Sequence, residues 1–463
     1  MATAVRTAVL TAVLTAVLTA IRTPFRTAFR AAVLTTVLAA AAGAAATPLA
    51  AQGAYYPPRS AWEARAPAQV GFTQAAVDSA VALAIAAESN APRDLLEQHM
   101  RSFGREPFGE AIGPFKDRGP ASGLIIKDGY IVAEWGEPDR VDQTFSVAKS
   151  FLSSTVGLAY DRGLIREVMD PVAPYMAPVV ALKGAPGGPG GGAPVAGVTV
   201  PASWMGVGPE DSVRTPMEGA AYDAFEVLEP FSSEHNARIR WDDLLRQTSD
   251  WQGTLWGKPD WADRPARDLE ADRARERREP GTRFEYNDTR VNLVALAALN
   301  VWRRPLPQVL REHLMDPIGA SPTWRWTGYD NSWVVIDGQL MQSVSGGSHW
   351  GGGMFISARD MARFGLLTAR NGMWDGQRLL SEAWLAMART PGPANATYGF
   401  MNFFLNGGER PRFSAGPPEA FYHLGAGNNV IYVDPTRDLV IVARWVGNTG
   451  AINRMLEVLT GAS

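Results

Sequence analysis

The sequence predicts an α+β fold in which strands near both ends of the chain form one antiparallel sheet, with helices between them. Residues Ser122–Trp135 hold two β-rich runs on either side of Lys127-Asp128-Gly129, a pattern typical of a hairpin. Near the other end, residues 429–433 and 439–445 are again rich in β-branched residues. Between these ends the apolar spacing is mainly helical, as over 290–302.

The helices follow from their capping residues and their periodicity. The first is predicted over 73–88, with Thr73 at its start. A second begins at Phe145 and ends near Asp161. Further helices are predicted, in chain order, over 239–251, 290–302, 306–315, 357–367 and 451–459.

The composition is that of a globular protein with a large core. The chain has 463 residues, of which 46% are hydrophobic and 20% charged. Its formal net charge of −3 gives no electrostatic argument for nucleic-acid binding. It contains no cysteine, which excludes disulfides, thiol nucleophiles and thiolate metal sites. The sequence does not indicate an oligomeric state.

The N-terminal segment has the pattern of an export signal. Residues 1–30 contain arginines and no acidic residue, and an apolar run follows over 31–46. Small residues then lead to a polar break near Ala51. We predict a signal over 1–51, a periplasmic or extracellular protein, and no membrane insertion after cleavage. The alternative is an uncleaved segment that remains as a membrane anchor.

Ser146 is the candidate nucleophile, because Lys149 follows it at the spacing that places two side chains on one helix face. A serine hydroxyl needs a neighbour that takes its proton, and lysine can do so when burial keeps its amine uncharged. Among five lysines, only Lys149 has a serine three residues before it. The alternative interpretation is a helix-capping serine followed by a surface lysine.

Two later stretches can supply what a lysine base lacks. Tyr286 precedes a helix, where a phenol near Lys149 could relay protons; taken alone, its pattern favours an ordinary packed aromatic. His423 could hold that tyrosine or bind a substrate carbonyl, and Gly425 would let the backbone approach the substrate. The backbone N–H groups of Ser146 and Ala426 are the candidate oxyanion hole.

In this order the three stretches resemble the serine β-lactamase and penicillin-binding protein superfamily. The closer resemblance is to its class C-like branch of esterases, D-amino-acid peptidases and 6-aminohexanoate-oligomer hydrolases. Ser146 and Lys149 match its Ser-x-x-Lys box, and Tyr286 matches the tyrosine of its Tyr-x-Asn box. His423-Leu424-Gly425 corresponds to its Lys-Thr-Gly box.

The resemblance runs from about residue 70 to the end and implies two domains. A sheet domain, flanked by helices, would comprise 52–145 and 330–463. A mostly helical domain would comprise 146–329, with a flexible Gly/Pro-rich insertion over 184–198. The active site would lie in the cleft between the two domains.

Two departures from the family pattern affect the expected substrate. Asp288 stands where asparagine is usual, which puts the contact to a substrate amide in doubt; we still expect Asp288, Leu424 and Gly425 to line the substrate site. His423 replaces the lysine that usually holds a β-lactam carboxylate. Ester or amide hydrolysis is therefore favoured over antibiotic hydrolysis.

We therefore predict a serine hydrolase that forms an acyl-enzyme on small ester, amide or peptide substrates, without metal or cofactor. One alternative is a β-lactamase proper, and another is a non-catalytic cell-wall or peptide-binding protein of the same fold. An α/β hydrolase is disfavoured because the sequence has no Gly-x-Ser-x-Gly. Trp251, Trp256, Trp326 and Trp350 are candidates either for the cleft or for the core.

Overall fold

A computed structural model describes residues 54–183, 225–263 and 275–461. The predicted export segment over 1–51 and the insertion over 184–198 lie outside these residues. The strands are β1 Ser122–Lys127, β2 Tyr130–Trp135, β3 Asp142–Gln143, β4 Val179–Leu182, β5 Phe225–Leu228, β6 Thr254–Leu255, β7 Lys258–Pro259, β8 Arg325–Ile336, β9 Gln339–Val344, β10 Gly353–Ile356, β11 Met373–Trp374, β12 Gln377–Arg378, β13 Phe404–Leu405, β14 Phe421–Gly425, β15 Asn429–Asp434 and β16 Leu439–Arg444.

The helices are more numerous than the sequence predicts. They are α1 Gln74–Ala86, α2 Leu95–Arg101, α3 Ala148–Asp161, α4 Glu234–Ala237, α5 Trp241–Leu245, α6 Asp288–Trp302, α7 Leu306–Leu310, α8 Ala358–Ala369, α9 Glu382–Ala388 and α10 Thr449–Thr460. Short 3-10 turns lie at Pro67–Val70, Phe103–Arg105, Phe145–Val147 and Ala173–Tyr175, and a π-helical turn lies at Arg311–Met315. None of the helices within the described ranges is both long enough and apolar enough to cross a bilayer.

The main sheet joins the two ends of the chain, as predicted. Its six antiparallel strands run in the order β13-β14-β15-β16-β1-β2. Strand β1 pairs with β16 from the C-terminal region and with β2 across the predicted hairpin. Asp128 and Gly129 have φ values of 54° and 86°, which is the conformation of a tight hairpin turn. The α+β fold class and its sheet are therefore confirmed.

Helices cover both faces of this sheet, and its central strands β1, β15 and β16 are therefore buried on both sides. Helices α1 and α10 pack on one face, where Val77 and Ile452 share a core with Ile441. Helix α8 packs on the other face, against the side chains of β15 and β16. There Gly365 of α8 allows close approach, since a Cβ on it would lie 2.7 Å from Val440.

A second sheet, in the order β3-β10-β8-β4-β5 with β9 on β8, lies outside the sequence prediction. Its longest strand, β8, contains a glycine and several polar residues, and its register shifts between Gly328 and Trp333. These features break the alternation that would reveal a strand. The sheet helps to position Ser146, because β3 leads directly into the turn that carries it.

Helices α3 and α6 are buried along almost their whole length and pack against each other. They bring together two distant parts of the chain, since α3 begins just after Ser146 and α6 begins at Asp288. The predicted helix over 239–251 is shorter than expected. It is helical only over α5, and Gln247 and Asp250 then adopt positive φ values.

Candidate active site

Ser146 lies in the 3-10 turn Phe145–Val147, between β3 and α3. Phe145, directly before it, has a φ of 49°, a left-handed conformation that costs L-residues on the order of 1–2 kcal/mol. The buried Phe145 ring meets Trp445 edge-on, with ring centroids 6.3 Å apart, and this contact holds the turn in its strained conformation. The turn leaves Ser146 partly exposed, as a nucleophile that meets a substrate requires.

Lys149 lies in the first turn of α3 and has no exposed surface. Its Nζ donates to Ser146 Oγ at 2.8 Å. The structure therefore confirms that the three-residue spacing places the amine within reach of the hydroxyl. It also excludes the alternative of a surface lysine. A buried amine of this kind requires polar partners, because an unpaired charge inside the protein is strongly unfavourable.

Asp288 is the second partner of Lys149, because its Oδ1 lies 2.6 Å from Nζ. Its Oδ2 accepts the backbone N–H of His349 at 3.0 Å. As the first residue of α6 it also lies where the helix dipole favours a carboxylate. Only 1% of Asp288 is exposed. The structure thus corrects its expected position: the carboxylate binds Lys149 and does not face outward as a substrate-contacting group would.

The glycine-rich turn over 346–353 passes directly over this ion pair. A Cβ on Gly347 would lie 2.1 Å from Asp288 Oδ2 and 2.3 Å from Lys149 Nζ. Any side chain at this position would therefore push the two charged groups apart. Glycine is required here for close approach of the backbone to the site.

Tyr286 lies next to Lys149, as predicted. Lys149 Nζ is 4.5 Å from the centroid of the Tyr286 ring, over its face, and a cation in this position is attracted by the ring. The Tyr286 hydroxyl donates to Asn402 Oδ1 at 3.3 Å. Because Tyr286 is partly exposed, its position combines contact with the buried amine and access from solvent.

The structure does not bring His423 into the same group. Its ring is fully buried, with Nδ1 2.8 Å from Ser150 Oγ and 3.2 Å from the Asn402 carbonyl. Burial, opposed by the bond to Asn402, lowers the pKa of His423 to about 3, so the ring is neutral near pH 7. Its surroundings are aromatic, with Phe403 edge-on at 4.6 Å. This position corrects the expectation that His423 binds a substrate carbonyl or holds Tyr286 directly.

Strand geometry accounts for the position of His423. Side chains alternate along β14, so His423 and Gly425 share the face that packs toward α3, while Leu424 lies on the other face. A Cβ on Gly425 would lie 3.2 Å from Ser146 N and 2.1 Å from Thr144 O. The strand therefore passes close to the backbone of the turn that carries Ser146. Leu424 is partly exposed and Ala426 is exposed, and their contact with substrate stays a prediction.

Asn402 is a residue of the site that the sequence analysis misses. It is fully buried, and its side chain bridges the Tyr286 hydroxyl and the Leu424 carbonyl, the latter bond being 2.9 Å. Asn402 has a φ of 68° and Met401 a φ of 38°. Asparagine tolerates this left-handed backbone conformation better than most residues do. The Met401-Asn402 pair matches no motif, so the sequence offers only the weak signal that an asparagine can adopt a left-handed turn.

The four tryptophans that the sequence analysis leaves between cleft and core are buried. Trp251, Trp256, Trp326 and Trp350 have at most 6% exposed surface. All four belong to the main hydrophobic core of the described residues. They therefore contribute to packing.

Residues 118–451 match the protein family described as Beta-lactamase. The chain belongs to this beta-lactamase family. The match covers Ser146, Lys149, Tyr286, Asp288 and the strand that carries Gly425, and it confirms the resemblance inferred from the three sequence stretches. No curated protein matches the sequence.

Several solved structures are similar to this member of the beta-lactamase family. A family VIII carboxylesterase is 15% identical, with a TM-score of 0.47, over 84% of this chain and 96% of that one. A penicillin-binding protein homologue from Caulobacter crescentus is 14% identical, with a TM-score of 0.46, over 83% and 96% of the two chains. A penicillin-binding protein from Bacillus halodurans is 15% identical, with a TM-score of 0.44, over 78% and 98%. The family assignment rests on the match of residues 118–451.

Proposed function

We propose that this chain is a serine hydrolase that cleaves ester or amide bonds through an acyl-enzyme on Ser146. One observation carries the proposal: the buried Lys149 Nζ lies 2.8 Å from Ser146 Oγ and 2.6 Å from Asp288 Oδ1. A serine becomes a nucleophile when a neighbouring group accepts its proton. Membership of the beta-lactamase family makes a hydrolase with a small-molecule substrate the expected class.

In the proposed acylation step, a proton moves along the row Ser146, Lys149, Asp288. Ser146 Oγ forms a bond to the substrate carbonyl carbon while its proton passes to Lys149 Nζ. Lys149 in turn gives one of its protons to Asp288 Oδ1. Lys149 ends with the number of protons it began with, and Asp288 ends as a carboxylic acid. Such a shared proton suits a buried pair, in which full charge separation is costly.

The remaining steps use the backbone and Tyr286. The carbonyl oxygen becomes an oxyanion, and we assign the N–H groups of Ser146 and Ala426 as its donors. Tyr286 protonates the leaving group as the carbon–heteroatom bond breaks. The proton held by Asp288 then returns through Lys149 to Tyr286, which restores all three residues. Water next attacks the acyl-enzyme by the same route in reverse.

The position of His423 favours neutral ester or amide substrates. In the family resemblance, the lysine at this position holds a β-lactam carboxylate. His423 is buried, and its low pKa of about 3 leaves it uncharged, so it supplies no cation for such a group. A β-lactamase proper is therefore the weaker alternative. Hydrolysis rates for p-nitrophenyl esters, nitrocefin, D-alanyl peptides and linear amide oligomers distinguish these substrate classes.

Labelling with a serine-directed fluorophosphonate, followed by peptide mass spectrometry, tests the nucleophile. We expect an adduct on Ser146 in the wild-type protein and in Ser154→Ala, and none in Ser146→Ala. Ser154 is a matched control because it is a buried serine on the same helix, and its hydroxyl donates to the Ser150 carbonyl of the preceding turn. Wild-type protein that hydrolyses no substrate in the panel and carries no Ser146 adduct contradicts the proposal.

A non-catalytic binding protein is the second candidate, and the Lys149–Asp288 ion pair is the observation that favours it. A tightly paired ammonium would leave Ser146 unactivated. Asp288→Asn separates the two functions by the sign of its effect. If Asp288 accepts the proton, the rate of Ser146 labelling falls. If Asp288 holds Lys149 inactive, labelling is absent in the wild type and appears in the variant.

We also propose that the protein is exported, on the pattern of basic, apolar and small residues over 1–51. Expression of the full chain in a Gram-negative host, followed by fractionation and N-terminal sequencing, tests this. A mature protein that begins near Ala51 in the periplasm is expected. An intact N-terminus in the membrane fraction would instead indicate an anchor.

A further inference from the structure

A buried histidine, His349, lies between two carboxylates next to the candidate active site. Its Nε2 is 2.9 Å from Glu106 Oε2, and its Nδ1 is 3.1 Å from Asp263 Oδ1. The first contact is a hydrogen bond, whereas the second is a close approach that does not have hydrogen-bond geometry. The side chains of His349 and Asp263 are at most 1% exposed. Polar groups this deeply buried are costly unless they hold one another.

Two contacts connect this group to Asp288, the partner of Lys149. The Asp288 backbone N–H donates to Asp263 Oδ2 at 2.5 Å. The His349 backbone N–H donates to Asp288 Oδ2 at 3.0 Å. Asp263 thus holds the backbone of Asp288, and the backbone of His349 holds its Oδ2. The other carboxylate oxygen, Oδ1, is directed at Lys149 Nζ, 2.6 Å away. The group therefore determines which way this carboxylate points.

The arrangement is that of an orienting network and not of a metal site. The two carboxylates lie at opposite nitrogens of the imidazole ring, so one ion could not be bound by all three side chains. Within the part of the chain that the structure describes, no group of three or more histidine, aspartate or glutamate side chains is arranged to hold a metal. The three members also come from distant segments, which is typical of residues brought together by folding around a site.

We infer that Glu106, His349 and Asp263 form a positioning network that orients Asp288 and, through it, Lys149 for the attack of Ser146. This inference rests on the proposed function, in which Lys149 transfers the serine proton to Asp288. His349 is a positioning residue in this account, because its ring touches neither Ser146 nor Lys149 in the described contacts. The network explains why polar side chains are retained at 0–1% exposure beside a buried ion pair.

His349→Gln tests the network, and His99→Gln is its matched control. Glutamine keeps the backbone N–H bond to Asp288 and removes only the ring between the two carboxylates. His99 is likewise buried in the same neighbourhood, with Nε2 2.7 Å from the Gly109 carbonyl and its ring 5.0 Å from Phe115. We expect His349→Gln to lower kcat for p-nitrophenyl acetate by about 10- to 100-fold, as for residues that orient a reactive group. The KM of His349→Gln should stay close to that of the wild type. His99→Gln should retain the wild-type kcat even when its Tm falls as far as that of His349→Gln.

A double-mutant cycle with Asp288→Asn distinguishes positioning from general destabilisation. If the network acts through Asp288, His349→Gln should have little further effect on the Ser146 labelling rate in the Asp288→Asn background. An equal fold-loss in both backgrounds overturns the inference. A fall in kcat for His99→Gln as large as that for His349→Gln also overturns it, since both would then act through stability of the segment near residue 106.

A spectroscopic readout keeps the inference testable even if Ser146 is not a nucleophile. In the full chain labelled with 15N-lysine, the Lys149 Nζ resonance is assigned by its loss in Lys149→Met. We expect this resonance to shift in His349→Gln and to stay in place in His99→Gln. An unchanged Lys149 resonance in His349→Gln contradicts the positioning network. Absence of a Ser146 adduct contradicts the proposed function alone.

Discussion

Lys149 and Lys258 are both buried, both paired with a carboxylate and both placed over an aromatic ring, yet their surroundings differ in kind. Lys258 Nζ lies 2.8 Å from Glu110 Oε2, 2.6 Å from the Phe108 carbonyl and 5.3 Å from the Trp350 ring. The Phe108 carbonyl and the Glu110 carboxylate belong to one loop, so Lys258 stabilises the packing of that loop against the rest of the protein. Lys149 instead contacts two groups on different elements, the Asp288 carboxylate at the start of α6 and the Ser146 hydroxyl in the turn before α3.

The exposure of the two carboxylates is the second difference. The Glu110 side chain is 72% exposed, whereas that of Asp288 is 2% exposed. Water can therefore stabilise the charge of Glu110, while Asp288 depends on the protein for every bond that it accepts. Burial is the main cause of a lowered pKa at Lys258, opposed by Glu110. Burial and ion pairing therefore do not distinguish the two lysines, whereas the adjacent Ser146 hydroxyl does.

The largest effect is expected from exchanging each lysine for arginine. Arginine keeps the positive charge but cannot act as a base. Lys149→Arg should lower hydrolysis of p-nitrophenyl acetate by about 10³-fold or more, the size of a general-base contribution. Lys258→Arg, the matched exchange of a buried lysine, should retain activity. Measured kcat/KM that is retained in Lys149→Arg, with Tm near wild type, removes Lys149 from the mechanism.

A smaller but still large effect is expected at Gly425, which lets β14 approach the turn that carries Ser146. A Cβ there would lie 2.1 Å from the Thr144 carbonyl, so Gly425→Ala must displace the strand. We expect kcat to fall by about 10²-fold, as when an oxyanion donor is lost.

Gly407→Ala is the control for this substitution, because a Cβ at Gly407 would meet nothing nearer than 3.9 Å. Steady-state kinetics on both variants give the comparison. Equal kcat for Gly425→Ala and wild type would show that the 425–426 backbone does not form the oxyanion hole.

Asn402→Gly tests the support of Tyr286, since glycine accepts the positive φ of this position and removes the side chain that bonds the Tyr286 hydroxyl and the Leu424 carbonyl. Loss of the acceptor for the Tyr286 hydroxyl should lower kcat by about 10-fold, a typical general acid–base loss at its lower end. Asn371→Gly is the matched control, with a φ of 51° at a position on the surface. A wild-type kcat in Asn402→Gly would mean that Tyr286 needs no such support.

The smallest effect concerns stability and arises from His423, whose pKa burial lowers to about 3. An unfolded-chain histidine titrates near 6.5, so between these pH values the unfolded state binds more protons and stability falls as pH falls. From pH 7 to pH 5 the wild type should lose about 2 kcal/mol more free energy of unfolding than His423→Gln. Urea denaturation at both pH values measures this difference. Parallel losses in the two proteins would contradict a neutral buried His423.

The sequence predicted much of the fold because its signals are local. The hairpin at Asp128-Gly129, the capping residues of the helices, such as Thr73, and the apolar runs of the C-terminal strands each specify their element from a few neighbouring residues. The same holds for Ser146 and Lys149, whose contact follows from the geometry of one helical turn. Strand β8 was not predicted, because its bulge and polar residues interrupt the alternation and only pairing with β4, β9 and β10 defines it.

By itself, the sequence determined the sheet that joins the two ends, the Ser146–Lys149 pair and the family to which they point, since each depends on short-range spacing. The tertiary structure alone decided what surrounds that pair. Asp288 reached Lys149 because α3 packs on α6, and His423 turned inward because of the pleat of β14. Asn402 and His349 joined the site from distant loops. Contacts between groups far apart in the chain depend on packing, and packing is a property of the whole fold.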